Sequence, residues 1–229
     1  MTFHQTFLDA FHPPIALSII PDGNLDKAAI DWILESIPKD YPGVGIHPAF
    51  TKNGVLDAIA ISTAKRALLI TQIRKPFKNQ KSNATLPGRN YLHSSLFYAK
   101  HFIYAFNASD LVLSIHRDMQ LTCRNVVDIL SMPPAESRDI EQVIHYIIGT
   151  EARIFENLHN AFRETSFDEK QPQFIVQKAW LAHLLGYESN ANHFSDFSNI
   201  APVDTSEFTK EVRLFHCVFI TLKVTIRSL

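Results

Sequence analysis

The chain of 229 residues has little cysteine, almost no net charge and no long apolar run. Its two cysteines, Cys123 and Cys217, argue against a secreted disulfide framework and fit buried, reduced thiols better. A formal net charge of −1 provides no global basic field that would attract nucleic acid. No segment approaches the ~18 uninterrupted apolar residues of a membrane span, and the first residues lack the basic and apolar regions of a signal peptide. These absences predict an intracellular protein, nuclear or cytoplasmic, with no membrane partner.

The composition is that of a folded chain, with 46% apolar and 11% aromatic residues. Disorder requires low hydrophobicity and high net charge, so it is not expected here. The length suits one domain with a sizeable core. We expect an N-terminal extension over residues 1–24 and a single domain over residues 25–229, whose helical part is more divergent from about residue 133.

The order of predicted elements indicates the fold class. Apolar residues recur every four positions over Leu25–Ile37, which predicts an amphipathic helix that ends before Pro38. Alternating and continuous apolar runs predict three adjacent strands, after which helices and strands alternate. The α/β architecture expected is therefore a mixed central sheet flanked by helices, with a helical C-terminal part. Strands are expected at 44–50, 56–63, 66–73, 101–106 and 122–130; helices are expected at 25–37, 91–100, 108–118, 139–148, 151–163, 174–185 and 206–225.

Two carboxylates stand out in residues 101–130. Asp110 lies in the first turn of a predicted helix, and Asp128 is carried by the next strand. Carboxylates from neighbouring elements can share divalent cations, as in two-metal sites that cleave phosphodiesters. Each residue also fits a structural role, because Asp favours a helix start and frequently caps a turn.

A basic loop follows the third predicted strand, with Phe77 within it and no acidic residue. Such a loop could hold phosphates and stack a base, and a solvated loop without any partner is an equally open interpretation. The candidate nucleic-acid-binding residues are Arg74, Lys75, Lys78, Lys81 and Arg89.

Three stretches give the chain a family resemblance: GVGIHPAF (43–50), LDAIAISTAKRALLITQI (56–73) and YAFNASDLVLSIHRDMQLTCRNVVDIL (104–130). They resemble the 3′–5′ exonuclease domain of the RNase D and Werner-helicase type, within the ribonuclease H-like DEDD superfamily. The resemblance covers roughly residues 25–130 well and the C-terminal hundred loosely. It implies a ribonuclease H-like fold and a site in which four acidic residues bind two divalent metals, Mg²⁺ or Mn²⁺.

Carried over position by position, the resemblance implies that most of those acids are missing. The Asp and Glu of the first motif fall on His47 and Ala49, and the Asp of the second motif falls on Asp110. The last motif, Tyr-x-x-x-Asp, is expected in residues 211–222, where Phe215 and Phe219 take the two positions. Imidazole is a poor ligand for Mg²⁺ and alanine provides none. No catalytic residue set is intact, and His47, Asp110 and Asp128 are interpreted as relict metal-site positions, although His47 also fits an ordinary strand-end histidine.

Three functions stay open. The first is a pseudo-exonuclease without a metal cofactor that binds nucleic acid, RNA or DNA, or a protein partner. The second is an active exonuclease dependent on Mg²⁺ or Mn²⁺, whose acids come from other positions such as Asp57, Asp118, Asp196 or Asp204. The third is an interaction scaffold that makes no nucleic-acid contact.

Overall fold

A computed structural model describes residues 5–8, 15–39, 43–73, 86–131 and 172–191, and the elements are numbered over these residues. The described strands form one seven-stranded mixed sheet in the order β1-β2-β5-β4-β3-β6-β7. The strands are β1 (Gln5–Leu8), β2 (Ile15–Pro21), β3 (Gly43–Phe50), β4 (Leu56–Ser62), β5 (Arg66–Thr71), β6 (Phe102–Ala105) and β7 (Val126–Asp128). The helices are α1 (Lys27–Leu34), α2 (Pro87–Leu92), α3 (Ala108–Ser114) and α4 (Pro172–Ala191).

The sheet combines an antiparallel meander with parallel additions, as the sequence predicts. Strand β4 pairs antiparallel with both β3 and β5, and β6 pairs parallel with β3 and with β7. Parallel neighbours need a crossover connection, and α2 and α3 lie in the connections that precede β6 and β7. The order β5-β4-β3-β6-β7 with helices on the faces confirms the predicted mixed α/β sheet.

The N-terminal extension contributes to this sheet. Strand β2 pairs parallel with β5, from Ala16 opposite Arg66 to Pro21 opposite Thr71, and β1 pairs antiparallel with β2. The sequence analysis did not predict either strand, because Pro13, Pro14 and Pro21 indicate turns. The apolar run IALSIIP between these prolines was the available signal.

The other predicted elements differ from the structure mainly in their ends. The helix expected at 91–100 begins at Pro87, and α2 and α3 each continue into a π-helical turn, His93–Phe97 and Ile115–Met119. Strand β7 has three residues instead of the nine expected at 122–130. The predicted helices at 139–148, 151–163 and 206–225 lie outside the described residues. No helix in the described part of the chain is both long and apolar enough to cross a membrane.

The two faces of the sheet are packed differently. On one face, large apolar residues of the strands, among them Val44, Ile46 and Ile59, form a core with residues of the α1, α2 and α3 regions. On the other face, small residues such as Ala49 and Ala58 pack against α4. The small side chains let the helix lie close to the sheet, which places α4 directly over β3.

Two glycines fix this close approach. A Cβ on Gly45 of β3 would overlap the carbonyl oxygen of Ala179 and the backbone nitrogen of His183 on α4. A Cβ on Gly186 of α4 would overlap the ring of Tyr104 on β6. Backbone therefore meets backbone at Gly45, and α4 has no room to shift toward the sheet there.

Candidate functional site

Five described strands of the sheet end at the same edge. Strand β2 is parallel to β5, β6 is parallel to both β3 and β7, and β4 runs antiparallel between β3 and β5. Strands β2, β3, β5, β6 and β7 therefore point their carboxyl ends one way. Ligands of open α/β sheets bind at such a carboxyl edge. In this protein the edge receives the end of β3 at Phe50, the start of α3 after β6, and the start of the basic loop after β5.

His47 and Ala49 share the α4 face of β3. They alternate with Ile46, which packs on the opposite face, and Ala49 lies in the apolar cluster that contains residues of α4. His47 pairs with Ala60 of β4. In the part of the chain that the structure describes, the buried Nδ1 of His47 has no hydrogen-bond partner. His47 and Ala49, the positions that the sequence resemblance assigns to the first acidic motif, thus both face α4.

A lysine of α4 adds a positive charge to this region. Lys178 precedes Ala179, the residue that contacts Gly45, and it is only 5% exposed. Burial, followed by the positive charge of Lys178, lowers the pKa of His47 to about 3. His47 is therefore a neutral imidazole at pH 7. The charged group of α4 that acts on it is the ammonium of Lys178.

His183 lies one turn further along α4. Burial lowers its pKa to about 4, and a hydrogen bond with the Gly43 backbone opposes this shift. Its Nδ1 is buried and has no hydrogen-bond partner within the described residues. The helix over β3 therefore contributes an ammonium group and a neutral imidazole to this face of the sheet.

Asp110 is exposed in the first turn of α3. The residue before the helix, Asn107, adopts a left-handed conformation (φ 55°, ψ 59°) and makes no side-chain cap. Its carbonyl oxygen accepts hydrogen bonds from the backbone nitrogens of Asp110, at 3.0 Å, and Leu111, at 3.2 Å. The carboxylate of Asp110 stands near the positive end of the helix dipole. Over the described residues, no three His, Cys, Asp or Glu side chains come together in a group that could hold a metal ion.

Asp128 has a local structural contact. Its carboxylate accepts a hydrogen bond of 3.0 Å from the backbone nitrogen of Leu130, inside the 3₁₀ turn that follows β7. This hydrogen bond is the turn-capping contact that the sequence predicts for Asp128. The structure does not bring Asp128 into a metal-binding group with His47 or Asp110.

The alternative acids are placed as follows. Asp118 is buried; it accepts a hydrogen bond of 2.9 Å from the backbone nitrogen of Leu56 and pairs with Arg117 at 2.5 Å. Asp57 lies on β4, where its backbone oxygen accepts from the nitrogen of Ile73. Neither joins a metal-binding group in the described chain. The positions of Asp196 and Asp204, and of the residues 211–222 expected to carry the last motif, lie outside the described residues.

One basic residue is in a different place from that expected. Arg89 is 4% exposed, and its guanidinium forms a two-point pair with the buried carboxylate of Asp22, at 2.8 and 2.5 Å. It also donates to the backbone oxygen of Met119. Because this guanidinium is enclosed and paired, it is not part of a phosphate-binding surface. This pairing could not be predicted from the sequence, since Asp22 is distant along the chain and Arg89 continues a run of basic residues.

The other four basic candidates, Arg74, Lys75, Lys78 and Lys81, lie outside the described residues. The described ends of their loop are held at the carboxyl edge. Ile73 is buried after β5 and donates its backbone N–H to Asp57 at 3.0 Å, and α2 begins at Pro87.

Comparison with solved structures identifies the fold. A structure described as the apo form of a nuclease matches with a TM-score of 0.51 and 9% identity, over 79% of this chain and 83% of that one. RNase D from Escherichia coli, an exoribonuclease involved in structured RNA processing, matches with a TM-score of 0.50 and 12% identity, over 80% of this chain and 48% of that one. The catalytic core of RRP6 from Trypanosoma brucei matches at 0.44 and 12%, over 76% and 46%.

The chain thus spans about half of the RNase D structure that it matches. The sequence itself matches no protein-family model and no curated protein. At these identities the likeness concerns the fold, and it agrees with the strand order and helix placement described above. The chain has the ribonuclease H-like fold of RNase D-type 3′–5′ exonuclease domains.

Proposed function

We propose that this chain is an exonuclease-like domain that binds nucleic acid without hydrolysing it. The observation that carries the proposal is the chemistry of the α4 face of β3. His47 and Ala49 stand where the family has an acidic pair, and Lys178 lies buried over the same strand. A neutral imidazole, a methyl group and an ammonium are the reverse of what two divalent cations require.

These residues do not fit the two metals that the fold family implies. Mg²⁺ takes oxygen ligands, and neither His47 nor Ala49 supplies a carboxylate. Among the described residues no three His, Cys, Asp or Glu side chains form a group that could hold a metal ion, and the ammonium of Lys178 over β3 would repel divalent cations. No hydrolytic step is therefore derived for this site.

The case for nucleic acid rests on charge and position. Arg74, Lys75, Lys78 and Lys81 occur within eight residues without an acid among them. In the sequence these residues lie between β5, whose described end is at the carboxyl edge, and α2. Phosphate contacts by such residues supply most of sequence-independent affinity, and for single strands each contact contributes a slope of about −0.7 to the salt dependence.

The hydrolysis experiment uses the purified chain with single-stranded RNA and DNA in Mg²⁺ or Mn²⁺. We expect the oligonucleotides to keep their length. Asp110→Asn is the test variant and Glu35→Gln, another exposed carboxylate, is its control. An active exonuclease would trim the 3′ end in a reaction that needs metal. If this trimming disappears in Asp110→Asn but not in Glu35→Gln, the proposal is refuted.

The binding experiment measures fluorescence anisotropy of labelled oligonucleotides at two salt concentrations. We expect affinity to fall steeply with salt and to weaken further when the four loop cations are changed to Gln. The exposed Lys65→Gln, in the turn between β4 and β5, is the control for loss of one charge. A chain that binds neither RNA nor DNA at low salt would be a scaffold without nucleic-acid contact, contrary to the proposal.

A further inference from the structure

The turn between β3 and β4, residues 51–55, carries the only Asn-Gly step in the sequence, Asn53-Gly54. Such a step is chemically reactive, because the backbone nitrogen that follows an asparagine can attack the carbon of its side-chain amide. Glycine has no Cβ to hinder this approach. In a folded protein the reaction also requires that the step is exposed and that its backbone can open locally.

The step is exposed in the structure. Thr51, Lys52, Asn53 and Gly54 are all exposed to solvent. Gly54 has a φ of +70°, in the left-handed region, and beyond its chain neighbours no atom lies within 4 Å of the place where a Cβ would stand. The backbone at Gly54 is therefore open to solvent, and neighbouring segments do not obstruct the reacting atoms.

Few hydrogen bonds hold the turn. The nitrogen of Gly54 donates to the oxygen of Thr51 at 2.9 Å, and the nitrogen of Thr51 donates to the oxygen of Val55 at 2.8 Å. The hydroxyl of Thr51 accepts from the nitrogen of Val55 at 3.2 Å, and the oxygen of Gly54 accepts from Arg117 at 2.7 Å. The bond from Gly54 to Thr51 must open before its nitrogen can react. Local opening of exposed bonds costs much less free energy than global unfolding, so the reaction does not require an unfolded chain.

A second step of the same kind is protected. Asp22-Gly23 could form the same cyclic imide, since an aspartate can react as an asparagine does. The side chain of Asp22 is fully buried, however, and its carboxylate is held by the guanidinium of Arg89 at two points. An ionised, paired carboxylate is a poor target for a nitrogen nucleophile. Burial, which the sequence does not show, thus separates the reactive step from the protected one.

We propose that Asn53 is a site of spontaneous deamidation. A base removes the proton from the backbone nitrogen of Gly54, which then attacks Cγ of Asn53. The bond from Cγ to the side-chain nitrogen breaks, and that nitrogen leaves as ammonia. Water opens the resulting cyclic imide at either carbonyl and gives aspartate or isoaspartate. The net reaction consumes one water and releases one ammonia, so the chain gains about 1 Da and one negative charge.

The product changes the carboxyl edge of the sheet. The new carboxylate lies in the turn that joins the end of β3 to the start of β4, next to the residue whose oxygen accepts from Arg117. Isoaspartate also adds one atom to the backbone of the turn, which disturbs the hydrogen bonds between Thr51 and Val55. This inference concerns the chemistry of the turn and holds whether or not the chain binds nucleic acid.

The experiment incubates the full chain in slightly alkaline buffer, digests samples with pepsin in acid, and follows each asparagine peptide by mass spectrometry. We expect the peptide with Asn53 to gain about 1 Da, at a rate that rises with pH. Asn24 is the internal control, because it is also exposed and the nitrogen of Leu25 after it is also hydrogen-bonded. Since Leu25 has a side chain that hinders the attack, Asn53 should react about tenfold faster or more.

Two variants test the mechanism. Asn53→Gln should abolish the mass gain at this position, because its longer side chain would have to close a six-membered ring. Thr51→Val keeps the shape of the side chain and removes the hydroxyl that accepts from Val55. It should speed the reaction about two- to tenfold, which corresponds to the net contribution of one hydrogen bond to the closed turn.

A parallel incubation in urea provides the unfolded reference. If the Asn53 peptide gains mass in urea and keeps its mass in the folded chain, the turn protects the step and the proposal is overturned. Equal rates at Asn53 and Asn24 in the folded chain would also contradict it. A gain in mass confined to the Asn53 peptide of the folded chain, with isoaspartate among the products, supports it.

Discussion

A methyl group at Gly45 tests whether α4 is fixed over the candidate site. In Gly45→Ala the added Cβ would lie 1.8 Å from the carbonyl oxygen of Ala179, which is 1.6 Å inside the 3.4 Å at which ordinary van der Waals contact begins. That atom belongs to helix backbone, which cannot rotate away as a flexible side chain could. The helix must retreat from the sheet, and its contacts with Ala49 and Ala58 must open.

The expected loss in the free energy of unfolding follows from that displacement of α4. Overpacking a core by one methylene costs about 1–3 kcal/mol and more when backbone must move. Adding lost packing along α4, we expect the free energy of unfolding to fall by about 3–5 kcal/mol, a large share of the roughly 5–15 kcal/mol that small domains have. Gly23→Ala is the control, because no atom lies within 4 Å of its added Cβ. It should change stability by no more than about 0.5 kcal/mol.

Urea unfolding of the full chain, followed by circular dichroism, measures both variants. NMR titration of His47 provides a second readout, because a retreating α4 exposes the imidazole and moves Lys178 away, and both changes raise its pKa. A Gly45→Ala protein whose stability equals that of Gly23→Ala, with an unshifted His47 titration, would refute the close packing of α4 on β3.

Three further predictions follow from the described contacts. Asp22→Asn leaves the Arg89 charge buried without its partner and should cost about 3–5 kcal/mol in urea unfolding, whereas Asp31→Asn, which breaks the exposed pair with Lys27, should cost about 1 kcal/mol or less; equal costs would contradict a buried pair. The depressed pKa values of His47 and His183 stabilise the fold above about pH 6.5, and this contribution is lost as pH falls toward 4 and 3. Each imidazole should therefore lower stability by about 2 kcal/mol between pH 7 and 5, and unfolding curves of His183→Gln should show a correspondingly weaker pH dependence. His47→Asp with Ala49→Glu should give no thermal stabilisation by Mn²⁺ until Lys178→Ala is added; stabilisation of the double variant with Lys178 present would show that this lysine does not exclude the metal.

The predictability of the candidate site differs from residue to residue. The strand positions of His47 and Ala49 and the helix-start position of Asp110 follow from local periodicity, so their places in the fold could be predicted from the sequence. Lys178 was not recognised because its importance depends on which helix covers β3. Residues 211–222 were expected to carry the last motif, whereas the described helix on the His47 face is α4. Arg89 was wrongly predicted to bind phosphate, because the sequence does not show whether an acid from another element pairs with a basic residue and buries it.

The sequence by itself determined the meander, the alternation of helices and strands that follows it, and the absence of a carboxylate at positions 47 and 49. These depend on apolar period and residue identity, which are local properties of the chain. The tertiary structure decided that the N-terminal extension joins the sheet at β5, that Asp22 encloses Arg89, and that Lys178 lies beside His47. Each of these depends on strand pairing or helix packing between segments far apart in the chain, where shape and burial select the partner.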